Sequence, residues 1–121
     1  MKNKTKIIVK HLNNYKIYQT GMKNIQLSLD QVAINKNNVR LKEQLSIYKA
    51  IVNSIDEAIK ILPDDEREFI KLRYINGNSM QETAKQMGCS VQNCFRIRNN
   101  AMNKLLISLS NLINISPDLG E

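Results

Sequence analysis

Residues 62–105 read LPDDEREFIKLRYINGNSMQETAKQMGCSVQNCFRIRNNAMNKL, and the Pro, Gly and capping residues within this stretch decide the fold of the chain. Pro63 is followed by three acidic residues at positions 64–66. Pro is tolerated in the first turn of a helix, and carboxylates suit the positive end of the helix dipole. The pattern therefore predicts a helix from about Pro63 to Ile75.

Two further helices are predicted by the residues that follow. The Asn-Gly-Asn triplet at 76–78 predicts a turn. Ser79 and Glu82 have the spacing of a capping box, in which a hydroxyl and a carboxylate satisfy the first amides of a helix. Gly88 suits the left-handed backbone that ends such a helix. Ser90 is then placed to cap the next one.

The last of these helices has a predicted inner face at helical spacing. Its members follow one another at steps of three, four and four residues: Cys94, Ile97, Ala101 and Leu105. A buried Cys behaves as a small hydrophobic residue, so Cys94 fits this face. Two helices of this length, joined by a turn centred on Gly88, make a helix-turn-helix.

The outer face of the same helix is polar and carries Gln92, Asn93, Arg96, Asn99 and Asn100. Gln and Asn offer paired hydrogen bonds to adenine, and Arg offers them to guanine. The amides at the start of the helix also suit a phosphate. A merely solvated helix face has a similar composition, so this pattern alone does not separate the two interpretations.

The charge distribution favours a polyanionic partner. The formal net charge is +7, and residues 1–29 contain six Lys and no acid. Between residues 83 and 117 all the charged residues are basic: Lys85, Arg96, Arg98 and Lys104. No stretch approaches the roughly 20 apolar residues of a membrane span. The charge alone fits either nucleic acid or an anionic membrane surface and does not choose between them. Together with the polar face of the last helix, it leads us to expect double-stranded DNA as the partner and no membrane.

The quoted stretch resembles region four of sigma factors, which binds promoters, and more closely the phage transcriptional regulators of the ArpU and RinA type. The landmarks that carry the resemblance are Leu62, Pro63, Leu72, Arg73, Tyr74, Ser79, Glu82, Ala84, Gly88, Ser90, Arg96, Ala101 and Leu105. The ArpU and RinA regulators carry this module behind a helical segment. The resemblance implies a phage or prophage late-gene activator that acts with host RNA polymerase.

The resemblance also implies which residues face DNA, namely Val91, Gln92, Phe95 and Arg96. Val91 and Phe95 are apolar where sigma factors commonly have charged or polar residues. Contact with thymine methyl groups is one role for them, and packing of Phe95 against a neighbouring helix is the other. The full predicted DNA-binding set is Ser90, Val91, Gln92, Asn93, Phe95, Arg96, Asn99, Asn100 and Lys85.

The N-terminal half is predicted to be helical behind a frayed basic tail at residues 1–6. One apolar stripe comprises Tyr15, Tyr18, Met22, Ile25, Leu29 and Val32. After an Asn-rich break at 35–38, a heptad seam comprises Leu41, Leu45, Tyr48, Val52, Ile55, Ile59 and Leu62. The seam pairs either with the first stripe, as a hairpin within the chain, or with another copy.

The predicted fold is all-α, with a helical hairpin or coiled coil in residues 1–62 and a sigma-region-4-like helix-turn-helix domain in residues 63–116. A single helix-turn-helix has a small footprint on DNA, and dimers present two. We therefore expect a homodimer or higher oligomer held by the N-terminal helices.

Other function classes find less support in the sequence. There is no nucleophile motif, carboxylate cluster or Gly-rich phosphate loop, so an enzyme is not expected. Cys89 and Cys94 do not have a zinc spacing and the lone His11 cannot complete a site, so no metal or cofactor is expected.

The apolar run at 7–9 is too short for a signal peptide, which predicts a cytoplasmic protein of a bacterial host. Two alternatives stay open: a small-terminase-like DNA-packaging protein, and an interaction module that binds polymerase rather than DNA.

Overall fold

The structure is a computed structural model that describes residues 2–31 and 38–119. Its α-helices are, in chain order, α1 (Lys2–Asn13), α2 (Tyr15–Gln31), α3 (Val39–Lys60), α4 (Asp64–Ile70), α5 (Met80–Met87) and α6 (Val91–Ser108). A π-helical segment at Lys71–Ile75 continues α4, and a 3-10 turn at Ser110–Leu112 follows α6. The described residues contain no strand, and the all-α prediction is confirmed.

One hydrophobic core connects the N-terminal helices with the helix-turn-helix. It includes fully buried residues from five elements: Ile8 and Leu12 of α1, Ile55 of α3, Phe69 of α4, Leu105 of α6 and Leu112 of the 3-10 turn. Helix α1 packs against α6, the π-helical segment and the 3-10 turn. Helix α4 begins just after Pro63, and the packing of the core continues across this point.

The prediction of a frayed tail at residues 1–6 is wrong over the described part, because α1 begins at Lys2. Ile8, His11 and Leu12 of this helix are fully buried. A helix of 12 residues is marginal on its own in water, so its stability comes from this packing. The lysines that suggested a solvated tail lie on a helix that is anchored in the core.

His11 fastens α1 to the C-terminal segment. Its Nε2 lies 2.9 Å from the carbonyl oxygen of Ile115, which can only accept, so Nε2 carries the proton. Its Nδ1 then accepts from the Tyr18 hydroxyl at 2.7 Å. Burial raises the pKa of Tyr18, which keeps that donor protonated. Asn14 adds a bond from its amide to the carbonyl of Pro117 at 2.8 Å.

Helix α2 packs along the heptad seam of α3 within the same chain. The seam residues that are buried are Leu45, Val52, Ile55, Ile59 and Leu62. Tyr48 of the seam stacks on Tyr18, with ring centroids 5.7 Å apart. Gly21 of α2 faces the Tyr48 ring, and a Cβ there would make an ordinary van der Waals contact with it at 3.4 Å. Of the two alternatives, the structure has the hairpin within the chain; Val32 and residues 35–37 lie outside the described residues.

Arg67 ties α4 to the end of α3. Its guanidinium donates to the carbonyl oxygens of Ile59, Lys60 and Leu62 and pairs with Asp64 at 2.9 Å. The last carbonyls of a helix have no partner within the helix, and a basic side chain can satisfy them. The change of direction around Pro63 is therefore held by one side chain.

The predicted helix from Pro63 to Ile75 differs from the structure in its last turn. The amide of Asn76 bonds the carbonyl of Lys71 at 2.8 Å, a bond across five residues that widens the helix. Tyr74 becomes the buried residue of this turn, edge-on to Phe69 at 5.9 Å between centroids, and Leu72 is half-buried. A period of 3.6 residues does not predict this shift.

The burial of α1 predicts a large effect of Ile8→Ala on stability. Removing a fully buried Ile side chain leaves a cavity and should lower the free energy of unfolding by about 2–5 kcal/mol. The matched control is Ile17→Ala on α2, where the side chain is 55% exposed and the change should be small. Urea unfolding of both variants measures this, and equal stabilities would mean that α1 is not part of the core.

Candidate nucleic-acid interface

The start of α5 has the predicted capping box. The backbone amide of Glu82 donates to Ser79 Oγ at 3.1 Å, and the amide of Ser79 donates to Glu82 Oε1 at 3.0 Å. The Ser79 amide, and secondly its hydroxyl, lower the pKa of Glu82. Thr83 is fully buried and its hydroxyl donates to the carbonyl oxygen of Ser79 at 2.8 Å, so its polar group has a partner inside the fold.

The turn between α5 and α6 depends on Gly88. Its φ of 70° lies in the left-handed region, where a side chain is strained. The turn is closed by the amide of Cys89, which bonds the carbonyl of Ala84 at 3.0 Å. Ser90 then caps α6 by accepting from the amide of Asn93 at 3.0 Å. Both residues therefore act as predicted, and together they set the direction in which α6 leaves the turn.

The inner face of α6 is buried as predicted, with Cys94, Ile97, Ala101 and Leu105 all in the core. A charged contact strengthens this face, since Lys104 Nζ lies 2.8 Å from both carboxylate oxygens of Glu66. Glu66 is buried, and a buried carboxylate needs such a partner. Arg98 is half-buried and donates from Nε to the Tyr74 hydroxyl at 2.8 Å. Lys104 and Arg98 thus contact buried side chains. The other two basic residues between positions 83 and 117, Lys85 and Arg96, are exposed and make no contact of this kind.

The outer face of α6 brings most of the predicted set together. The exposed members are Ser90, Gln92, Phe95, Arg96, Asn99 and Asn100, with Lys85 exposed on α5. Asn93 is half-buried and its Oδ1 accepts from Arg96 Nε at 2.9 Å. This bond holds the Arg96 side chain through Nε and does not use its two terminal nitrogens. Arg96 is therefore held on the exposed face of α6, and its two terminal nitrogens take no part in this bond.

The two apolar members of the set have different positions. Val91 is half-buried and packs against the core, so its main contact is with the protein. Phe95 is 47% exposed and lines a groove of about 1020 Å³ between α6, α1 and the π-helical segment. Of the two roles considered for Phe95, the structure has it beside a neighbouring helix and still partly exposed.

This groove contains residues that the sequence did not predict as part of a site. Asn3 and Lys6 of α1 line it opposite Asn99 and Asn103 of α6. Asn103 continues the polar face of α6 one turn beyond Asn99 and Asn100. Helical periodicity could therefore have identified it from the sequence. The position of α1 depends on contacts with residues about a hundred positions away, so no local pattern reveals it.

Other kinds of site find no support in the described ranges. Over residues 2–31 and 38–119, no three His, Cys, Asp or Glu side chains are grouped so as to hold a metal ion. In the same ranges, every helix is too short or too polar to cross a membrane.

Comparison with known proteins bears on the same elements. Residues 53–105 match the family model for sigma-70, region 4. The match runs from the last turns of α3 to Leu105 of α6 and covers the capped turn and the polar face. No curated protein and no solved structure matches the chain. The fold of this part is therefore sigma-region-4-like, which indicates a DNA-binding helix-turn-helix regulator, while the narrower resemblance to ArpU and RinA stays a prediction.

The lowered pKa of Glu82 predicts an acid-dependent loss of stability. A depressed folded pKa means that the carboxylate stabilises the fold above the ordinary range of a glutamate and loses that effect as the pH falls through the folded pKa. Glu82→Gln keeps an acceptor at this position without the charge. The wild type should be more stable than Glu82→Gln in thermal unfolding at pH 7, and the gap should close at acid pH. A gap that does not change with pH would contradict the account.

Proposed function

We propose that this protein is a sequence-specific regulator of transcription that inserts α6 into the major groove of double-stranded DNA. The observation that carries the proposal is the outer face of α6, which is capped, polar and free of acidic residues between positions 83 and 117. The major groove of B-DNA admits an α-helix, and base edges are read there. Phosphate contacts position the helix and base contacts give specificity.

The residues divide between these two tasks. Gln92 and Arg96, on the first two turns of α6, are assigned to base edges, with Asn99 and Asn100 one turn further along. Ser90 and the amides at the start of α6 are assigned to a phosphate. Lys85, exposed near the end of α5, is assigned to the flanking backbone. This division follows the contacts of other helix-turn-helix proteins, in which the first helix crosses the backbone.

The narrower proposal is a phage or prophage late-gene activator that acts with host RNA polymerase in the bacterial cytoplasm. It is supported by the resemblance of residues 62–105 to the ArpU and RinA regulators and by the helical segment that precedes them. The chain is therefore proposed to assist polymerase at DNA that it binds itself.

Selection of sites from a random duplex library, followed by mobility shift at two salt concentrations, tests the proposal. A recovered motif with higher affinity than random duplex at both salts supports sequence-specific binding. Uniform affinity for all duplexes, or none, contradicts it. Transcription from a promoter that contains the motif, with purified polymerase, separates an activator from a small-terminase-like packaging protein, which would bind DNA without raising transcript yield.

Arg96→Ala should weaken binding to the selected motif by about 1–3 kcal/mol and relax base preference at one position, because a paired contact with guanine is lost. The matched control is Arg40→Ala, which removes an exposed arginine from α3. Competition binding with single-base variants of the motif measures both effects. Equal affinity of wild type and Arg96→Ala for the motif would remove Arg96 from the base-reading set.

Lys6→Ala tests whether the basic face of α1 contacts DNA phosphates. Each lost phosphate contact should reduce the slope of log affinity against log salt by about 0.9. A substitution is needed rather than a truncation, because α1 is anchored in the core by Ile8 and Leu12. Lys49→Ala on α3 is the charge-matched control. An unchanged slope for Lys6→Ala would mean that the lysines of α1 are only solvated.

One helix-turn-helix has a small footprint on DNA, which favours an oligomer that presents two. We propose a homodimer or higher oligomer that uses the outer faces of α2 and α3, because the heptad seam between them is filled within the chain. These outer faces retain exposed apolar side chains at Ile17, Leu27 and Ile47. Sedimentation equilibrium should give a mass above that of one chain, and Ile47→Asp should lower it. A monomer across the micromolar range contradicts the proposal.

A further inference from the structure

The two cysteines lie on either side of the cap that begins α6. Cys89 immediately precedes the capping residue Ser90, and Cys94 lies in the first turns of the helix. Their sulfur atoms are 3.3 Å apart. In many helices apolar side chains at these two positions pack together and fix the angle at which the chain enters the helix. Here both partners are thiols.

The two sulfur atoms need only a short movement to come within bonding distance. An S–S bond is about 2.05 Å long, so closure requires the two sulfurs to approach by about 1.3 Å. Cys89 is half-buried, in the turn that follows Gly88, and is the more exposed of the two cysteines. Cys94 is fully buried beneath it. One thiol is therefore placed to react first and the other to react with it.

We propose that Cys89 and Cys94 form a modification site, at which a small-molecule disulfide such as oxidised glutathione converts the two thiols into an intramolecular disulfide. The closed disulfide weakens DNA binding by α6, and this second part rests on the proposed function. Oxidation of the two thiols thus changes the turn that sets the position of the DNA-binding face.

The chemistry is a thiol–disulfide exchange in two steps. Cys89 loses its proton to solvent, and its thiolate attacks one sulfur of the external disulfide. The external S–S bond breaks, one glutathione thiolate leaves and takes up a proton, and Cys89 carries a mixed disulfide. Cys94 then loses its proton and attacks Cys89 Sγ, which releases the second glutathione as a thiol. Two cysteine thiols are oxidised and one external disulfide is reduced to two thiols.

The order of the steps follows from the surroundings of each thiol. Burial, followed by the neighbouring Cys89 thiol, raises the pKa of Cys94 to about 11. A thiol with a raised pKa contains little thiolate and reacts slowly with molecules in solution. Once Cys89 carries the mixed disulfide, however, its sulfur is the electrophile next to Cys94, and the short distance compensates for the low thiolate fraction.

Closure of the disulfide acts on residues that the proposed function uses. Val91, Gln92 and Asn93 lie between the two cysteines, and Asn93 holds Arg96. We expect closure of the disulfide to pull this first turn of α6 toward the preceding turn. Hydrogen bonds to base edges tolerate only a few tenths of an ångström, so at least one paired base contact should be lost. The expected loss of affinity for the selected motif is about tenfold, the size of one such contact.

The first experiment is chemical and does not depend on DNA. The full chain is reduced, freed of reductant under argon and exposed to oxidised glutathione, and its intact mass is measured. The expected product is a single chain lighter by two hydrogen atoms, restored by dithiothreitol. A product that stops at a glutathione adduct, or a chain that does not react, overturns the disulfide.

Variants assign the two roles. Cys89→Ala should form neither disulfide nor adduct, because the buried Cys94 is not reached. Cys94→Ala should stop at one glutathione on Cys89. If Cys94→Ala does not fold, peptide mapping of the oxidised wild type still locates the bond. Disulfide formation between chains, or an adduct on Cys94 in Cys89→Ala, contradicts the proposed site.

The second experiment compares DNA affinity of the reduced and oxidised wild type for the selected motif. Oxidation should weaken binding about tenfold in the wild type and leave Cys89→Ala unchanged. Equal affinities of a fully oxidised and a reduced sample overturn the control of binding, whatever the mass measurement gives. Failure of the reduced protein to bind any duplex overturns the proposed function and leaves the disulfide site standing on the mass result.

Discussion

The inner face of α6 is the part of the structure on which the rest depends. Its side chains are buried against α1, α4 and α5, and the burial of apolar surface is the main favourable term in folding. The ion pair between Lys104 and Glu66 fixes the position of α6 along α4. Because one side of α6 is completely buried, its other side is held at a defined place on the surface. A DNA-reading helix needs this rigidity, since base contacts fail when the helix moves.

The turn before α6 connects the buried core to the residues that are proposed to contact DNA. Gly88, the Ser90 cap and the two adjacent thiols determine where the first turn of α6 begins. Gln92 and Arg96 follow within that turn and the next, so a small change at the cap is carried directly to them. The proposed disulfide would act at this same turn, next to the features that make the fold predictable.

The helix-turn-helix was predictable because its signals are local. The capping box at Ser79, the Gly88 turn and the apolar spacing of α6 all lie within a few residues of the structure that they specify, and each is present as predicted. The π-helical segment was missed because it depends on the packing of Tyr74 against Phe69 and Arg98 rather than on periodicity. The polar face of α6 was predicted from its composition, whereas the half-buried position of Val91 depends on the depth at which α6 sits.

The N-terminal half was less predictable for two physical reasons. Helix α1 has many lysines and few apolar residues. Its stability depends on contacts such as that of His11 with Ile115, and no local sequence pattern indicates a contact between residues so far apart. The heptad seam of α3 was recognised, but a period of seven residues is the same whether the partner is α2 or a second chain. The partner is identified only by the packing of α2 along α3, where Tyr18 stacks on Tyr48.

The central claim is that the outer face of α6 contacts DNA. Amide chemical-shift mapping of the isotope-labelled protein, titrated with a duplex that it has selected from a random library, tests this most directly. The account predicts that the largest changes occur between Ser90 and Asn100, with smaller changes at Lys85 and none along the outer face of α3. Largest changes on α2 or α3, with α6 unperturbed at saturation, would contradict it.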